Sequence, residues 1–395
     1  MTLTRQQIKN EILNGNILVI YNKQVLKLNS WIYNHPGGQL PLLHFVGRDA
    51  TDEIEAYHDR SVLENLLKKF IIGKVDEGDC EPFLPITPPI QLGWINNKFQ
   101  GETTSSINIS IKDYKAPTVL PPSIHEPIPL SPDDIEPSFP ADSSLNPQRQ
   151  HAVSQNFKKL HQKIIDNDLY VIKSDAYLYD CLRYAFLLLL FGICYFHFGW
   201  KVLSAIPLGL FWHQITFVVH DAGHCEIWGS QRYDKTLACF IASYIGGLSA
   251  NWWCDNHDIH HIVTNHPEHD PDIQHIPFFA ISTRFFNSLY STYYNRVMEF
   301  DIFAKMLLPI QHKLYYFVMS LARFNLFALS YGFLLNKSQS NFYRNFELLG
   351  IFVFWSWYGS LIANIDSHIG KFAFLILSNV AASPVHVQVC CFVII

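Results

Sequence analysis

The chain has 395 residues, with 29 Lys and Arg against 34 Asp and Glu (net charge −5), 15% aromatic residues and a mean hydropathy of +0.08. That length predicts two or three domains, the hydropathy is too high for an ordinary soluble enzyme and too low for a wholly membrane-buried protein, and the mild acidity gives no support to nucleic-acid binding. Eight cysteines without a CxxC pair argue against a disulfide framework and a zinc ribbon, and Cys225 and Cys254 read as small buried residues.

The mean conceals two unlike halves. Residues 1–180 are charged and punctuated by proline, whereas the remainder holds uncharged runs at 184–200, 202–219, 236–254, 348–365 and 372–395. Most of these approach the roughly 20 residues that cross a bilayer. A soluble head on a membrane body is expected. The N-terminal MTLTRQQIKNEILNGN has no apolar core, which predicts no cleavable secretory signal before the head.

In the head, Trp31 to Gly38 reads Trp-Ile-Tyr-Asn-His-Pro-Gly-Gly, and a second histidine, His58, follows His35 after an acidic stretch. Pro36 fixes one backbone angle and two glycines allow a tight turn, so His35 stands at a rigid corner. Two imidazoles facing each other across a flat cofactor would leave its iron no open position, which suits electron transfer. The bland alternative is a turn histidine and a surface helix histidine. The segment as a whole, with Gly47-Arg-Asp-Ala-Thr51 and Phe70-Ile-Ile-Gly73-Lys-Val75, resembles cytochrome b5. The resemblance covers residues 5–76 and implies a small α+β domain, over 1–79, holding haem b between His35 and His58. His44 matches no ligand position and reads as structural. Asp49, Asp52, Glu53, Glu55 and Asp59 suggest an acidic rim able to steer a basic reductase, or a plain solvated face.

Between Pro82 and Pro147 lie 13 of the chain's 21 prolines and no apolar periodicity. Residues 80–150 are therefore expected to form a disordered tether, with a short strand near Ser106–Ile111, that keeps the head at high local concentration over the membrane body.

Residues 151–395 form the expected membrane domain. Tyr184–Trp200 and Val202–Val219 read as a hairpin turning at Lys201, so the head and His220 share one membrane face, and the basic residues before the first span put that face in the cytosol. A crossing by Thr236–Cys254 would separate the histidine clusters, so its Gly246-Gly247 pair favours a re-entrant or interfacial segment. Runs 348–365 and 372–395 form a second hairpin, and Leu314–Leu335 is ambiguous.

His220 and His224 stand four residues apart, while His257, His260 and His261 have i, i+3, i+4 spacing. On helices each set shares one face. Imidazole suits iron, copper and zinc alike, and a single zinc site or exposed amphipathic histidines are the plainer alternatives. Residues 212–279, which include His220-Asp-Ala-Gly-His224, Asn251-Trp-Trp-Cys-Asp-Asn-His257-Asp-Ile-His-His261 and Asn265-His-Pro-Glu-His269-Asp-Pro-Asp-Ile-Gln-His275, closely resemble membrane front-end desaturases with a fused cytochrome b5. Among these the chain is most similar to fungal sphingolipid Δ8-(E)-desaturases, through this context, the long tether and Ser378–Gln388.

The resemblance implies an all-α multi-pass membrane domain in the endoplasmic reticulum with head and boxes cytosolic. It implies O2-dependent insertion of a trans double bond into the long-chain base of ceramide or glucosylceramide. His220, His224, His257, His260 and His261 would hold two irons, fed with electrons from NADH through a cytochrome b5 reductase and the haem. Asp221, Asp258, Asp270 and Asp272 are candidates to orient ligand imidazoles, while His266, His269 and His275 are not expected to be ligands. The family's third box, Gln-x-x-His-His, has no counterpart: after His275 only His312, His368 and His386 remain. That departure predicts an incomplete metal shell and an inactive copy. An acyl-lipid Δ5 or Δ6 desaturase, a hydroxylase and a haem-only membrane-tethered electron carrier are the competing readings.

Overall fold

The computed structural model describes residues 1–76 except 14–15 and 59–61, residues 147–336 except 172–174, 268, 287, 292 and 295, and residues 341–383, with four short strands between 94 and 130. Asp59, His386 and the stretch around Gln388 lie outside the described residues. So does most of the expected tether.

The head is built on one four-stranded sheet. Strands β1 (Thr2–Leu3), β2 (Leu18–Tyr21), β3 (Gln24–Lys27) and β4 (Ile71–Val75) lie in the order β1-β4-β3-β2, with β1 parallel to β4 and the other pairings antiparallel. Asn22 and Lys23 close the β2–β3 hairpin with φ of 48° and 61°, the left-handed pair whose twist matches the flanking strands. Helix α1 (Arg5–Leu13) contributes Ile8 and Ile12 to a core with Leu18, Ile20, Val25, Leu26 and Ile32. The short helices α2 (Leu40–Leu43) and α3 (Thr51–Tyr57) follow the Pro36 corner. The Asp49 carboxylate accepts hydrogen bonds from the backbone N–H of Thr51, at 2.9 Å, and from its hydroxyl, an Asx-type turn just ahead of α3.

Beyond the head, β5 (Trp94–Ile95) pairs with β6 (Lys98–Phe99) and β7 (Ile107–Ile109) with β8 (Ile128–Leu130), so the expected strand near Ser106–Ile111 is present and has an antiparallel partner. Helix α4 (Pro147–Asp166) opens with proline, whose missing N–H costs nothing in a first turn. Lys158 on α4 reaches Asp52 at 3.2 Å and Glu55 at 2.9 Å. Two carboxylates of the expected acidic rim are thus engaged from within the chain.

The described residues fall into two compact units, Met1–Asp166 with Asp255–Leu308, and Asn167–Cys254 with Pro309–Ile395. In the second, α5 (Asp175–Gly192) runs on through a π-helical turn to His197, and the chain turns through Phe198–Ser204 into α6 (Ala205–Gly223). The helix break lies close to Lys201, where the hairpin was expected. α6 packs along the last helix, and the approach is set by Gly209, where an added Cβ would sit 2.3 Å from the Ser378 carbonyl oxygen.

The apolar run Thr236–Cys254 is not one span. It is divided between α7 (Gln231–Phe240), a π-helical turn over Ile241–Ile245, a bend at Gly246-Gly247, and α8 (Ala250–Ile262), within which the unit boundary falls. Gly247 has φ of +70°, and a Cβ there would lie 2.4 Å from the Phe354 ring. The bend's carbonyls are satisfied by protein, as apolar surroundings require: Arg323 donates to Gly246 at 2.6 Å and Tyr331 to Gly247 at 2.9 Å.

The chain continues through the hairpin of β9 (Leu289–Ser291) and β10 (Arg296–Met298), α9 (Ile302–Leu307), α10 (Gln311–Ser320), α11 (Ala322–Asn336), α12 (Asn341–Ala363) and α13 (His368–Ala382). Among the described residues, Tyr177–His197 and Phe342–Ala363 are long and apolar enough to cross a membrane. The ambiguous stretch Leu314–Leu335 resolves into part of a pair, Ile302–Ser320 and Ala322–Leu335, bent by 65°, which forms either a broken span or a re-entrant loop. Trp212, Phe354, Tyr358 and Phe374 form the aromatic centre of the second unit.

Candidate functional site

His35 leaves a short 3-10 turn in extended conformation and His58 does the same at the end of α3. Their rings face each other with centroids 6.1 Å apart. Nδ1 of His35 bonds the Gly38 carbonyl at 2.7 Å, and Nδ1 of His58 bonds the Ile54 carbonyl at 3.0 Å. A ring whose Nδ1 donates to a carbonyl presents an unprotonated Nε2 to a metal, so the pair fits a haem iron held from both sides. Burial, only partly offset by the Gly38 bond, lowers the pKa of His35 and keeps it neutral.

His220 occupies the last turn of α6 and His224 caps it, with ring centroids 4.7 Å apart and Trp253 against both. Nδ1 of His220 lies 3.1 Å from Asp221, whose other oxygen accepts from Tyr177 at 3.2 Å. Cys225 and Cys254, expected to be buried, are only half-buried.

In the other unit, the i, i+3, i+4 spacing places His257, His260 and His261 on one face of α8. Nε2 of His257 and Nε2 of His261 are 3.0 Å apart. Nδ1 of His257 lies 3.2 Å from Asp272, and Nδ1 of His260 lies 2.9 Å from Asp270. Asp270 also accepts from the backbone N–H groups of Asn265 and Asp272, which fixes the loop against the helix. Burial disfavours the charged form of His260, but the hydrogen bond and charge of Asp270, with Asp272 behind it, outweigh this and raise its pKa. Burial likewise opposes ionisation of Asp272, and His257 and His260 overcome it, holding that carboxyl below its usual range. Carboxylates behind imidazoles fix the tautomer and strengthen the ring as a metal donor. Three of the four expected carboxylates, Asp221, Asp270 and Asp272, stand in this relation to a box histidine; Asp258 lies near the Tyr57 phenol.

The histidines not expected to be ligands form a different structure. His266 stacks on His269 at 4.1 Å, and His269 meets His44 edge-on at 5.0 Å. Burial, with Arg48 among the nearby charges, pushes His44 down to about 3 and His266 to about 4, and drives His269 well below its normal value. These are neutral packing imidazoles, and His44 is structural as its position implied.

Sequence reasoning missed Glu347. This fully buried carboxylate on α12 accepts from the backbone N–H groups of Ala250 at 2.7 Å and Asn251 at 3.2 Å, from the Ser249 hydroxyl at 2.8 Å and from the Asn251 amide at 2.8 Å. It satisfies the open N–H groups at the start of the helix that carries the second histidine set. A lone Glu at the border of an apolar run was the available signal.

Residues 4–76 match the family model described as cytochrome b5-like haem/steroid binding domain, and residues 198–390 match that of the fatty acid desaturases. The chain is 36% identical to a Delta 8-(E)-sphingolipid desaturase of Emericella nidulans, across 98% of this chain and 76% of that protein. To the proteins of the same name from Komagataella phaffii and Candida albicans it is 37% and 33% identical, again over 98% of this chain and over 76% and 79% of theirs. The facing imidazoles of the head, the carboxylate-backed histidines and these likenesses together show that the chain belongs to the membrane fatty acid desaturase family, oxidoreductases that use iron and O2, with a fused cytochrome b5-like haem domain.

Proposed function

We propose that this protein is a sphingolipid Δ8-desaturase that places a trans double bond in the long-chain base of ceramide or glucosylceramide. The observation that carries the reading is the likeness, over nearly the whole chain, to several fungal proteins of that name. The carboxylate-backed box histidines supply the matching chemistry.

In this reading His220, His224, His257, His260 and His261 hold two irons, whose role when bound is to activate dioxygen. Overall, O2 would accept four electrons and four protons and end as two waters: two electrons and two protons from adjacent methylenes of the lipid, two protons from solvent, and two electrons supplied through a haem that His35 and His58 would hold. NADH and a cytochrome b5 reductase are the proposed source. Asp221, Asp270 and Asp272 keep the Nδ1 protons of their partner rings in place, so that Nε2 remains the donor to metal. The apolar helices set the chemistry at a membrane, which we take to be the endoplasmic reticulum, with head and boxes on the cytosolic side.

The test is lipid analysis of a yeast lacking Δ8-unsaturated bases, expressing the chain as it stands and extended at its C-terminus by a family-type Gln-x-x-His-His segment. Δ8-trans bases from either form support the reading. Unsaturated acyl chains with unchanged bases favour the acyl-lipid alternative, and unchanged lipids from both forms count against desaturation.

A further inference from the structure

The haem-binding head and the second histidine set belong to one compact unit, and the residues at their seam are specific. Ile262 and Val297 pack against the head's core. His44 of the head meets His269 edge-on at 5.0 Å. Beside them the Tyr57 hydroxyl donates a hydrogen bond of 3.1 Å to the backbone carbonyl of His261.

An aromatic ring at a packed seam is commonly just filler, and the Tyr57 residue is 54% exposed. What distinguishes Tyr57 is which groups it joins. It is the covalent neighbour of His58, one of the two facing imidazoles, and its hydroxyl ends on the peptide of His261, one of the box histidines.

We infer that Tyr57 is a positioning residue for electron delivery: it fixes the head on the second histidine set and closes a bonded path from His58 to His261. The inference rests on the reading of both histidines as metal ligands. The path runs along the backbone from His58 to Tyr57, through the ring, across one hydrogen bond, and into the His261 backbone and imidazole. Electron transfer weakens faster across empty space than along bonds, so one 3.1 Å hydrogen bond is a small interruption. Each passage oxidises ferrous haem to ferric and reduces one ferric iron to ferrous. Tyr57 keeps its proton throughout, and two passages serve one turnover.

Tyr57→Phe keeps the ring and removes the donor. The bond is at an exposed position, so water can take the place of the lost donor at the His261 carbonyl and the variant should fold. The holoprotein in detergent, extended at its C-terminus by the family-type Gln-x-x-His-His segment, its Tyr57→Phe variant and a control at an exposed head tyrosine, Tyr33→Phe, would be compared by stopped-flow reoxidation of reduced haem under O2 with ceramide, by haem spectrum and iron content, and by amide exchange of residues 258–264 in metal-free protein. Losing one net hydrogen bond predicts reoxidation about fivefold slower and faster exchange at 258–264 in Tyr57→Phe, with spectrum and iron content unchanged and Tyr33→Phe like the parent. Reoxidation and exchange both at parent values would overturn the proposal. Loss of haem or iron from Tyr57→Phe would also overturn it, by making the residue part of the metal sites' scaffold. A parent protein that holds haem but no iron refutes the reading beneath it, and the proposal with it.

Discussion

Nδ1 of His260 lies 2.9 Å from the carboxylate of Asp270, and both side chains are buried. A buried carboxylate is costly unless its lone pairs are used, and Asp270 uses them on one imidazole and two backbone N–H groups. The pair therefore fixes the loop after α8 and the tautomer of His260 together. Asp270→Asn should reduce iron affinity and turnover by about 10- to 100-fold while leaving the haem spectrum intact. Iron analysis and single-turnover assays on the same preparation would show this; unchanged iron content would remove the orienting role.

The head is expected to bind one low-spin haem through both facing histidines. His58→Ala and His35→Ala should each abolish the low-spin spectrum, because a single remaining imidazole cannot fill both axial positions. Retention of that spectrum by either variant would mean that another residue is the ligand.

Glu347 accepts from four donors at the first turn of α8 without exposure to water. Glu347→Ala leaves those donors buried and unpaired, at a cost of about 3 kcal/mol or more. Glu347→Gln keeps one oxygen but turns an amide donor towards them, so an intermediate loss is expected. Thermal unfolding in detergent measures both; a loss below about 1 kcal/mol for Glu347→Ala would show that the cap is dispensable.

The neutral cluster of His44, His266 and His269 predicts acid sensitivity. Unfolded histidine titrates near 6.5, whereas His44 and His266 are held down to about 3 and about 4 in the fold. As pH falls below the unfolded value, the unfolded chain binds protons that the folded cluster refuses, so stability is lost with falling pH. Each such imidazole contributes about 2 kcal/mol of loss between pH 7 and pH 5. The charges of Arg48 and Arg284 lie near the cluster. His44→Gln should flatten the pH dependence by roughly one imidazole's share, followed as the pH dependence of thermal unfolding through haem absorbance. A slope equal to the parent's would mean that His44 takes up its proton in the fold as readily as in the unfolded chain.

Local chemistry made much of this visible beforehand. The Pro36 corner placed His35, helical spacing put His257, His260 and His261 on one face, and the glycine pair at 246–247 marked the bend that breaks an otherwise span-like run. Contacts between residues distant in sequence carried no such sign. Tyr57 and His261 are 204 positions apart and Asn251 and Glu347 are 96 apart, and neither pair is announced by periodicity or motif. For the same reason the grouping of Asp255–Leu308 with the head was not foreseen: the chain was read as a head followed by a membrane body, and the seam depends on Ile262, Val297 and His269 meeting the head's surface.

The most direct measurement of the central claim, that the box histidines form an iron-pair site served by the haem head, is iron quantitation with Mössbauer spectroscopy on the purified protein, extended by the same Gln-x-x-His-His segment as in the lipid test, beside its His257→Ala variant. The account predicts about two irons per haem beyond the haem iron itself, coupled as a pair, and their loss from His257→Ala with the haem retained. Haem alone, or a single zinc in place of paired iron, would contradict it.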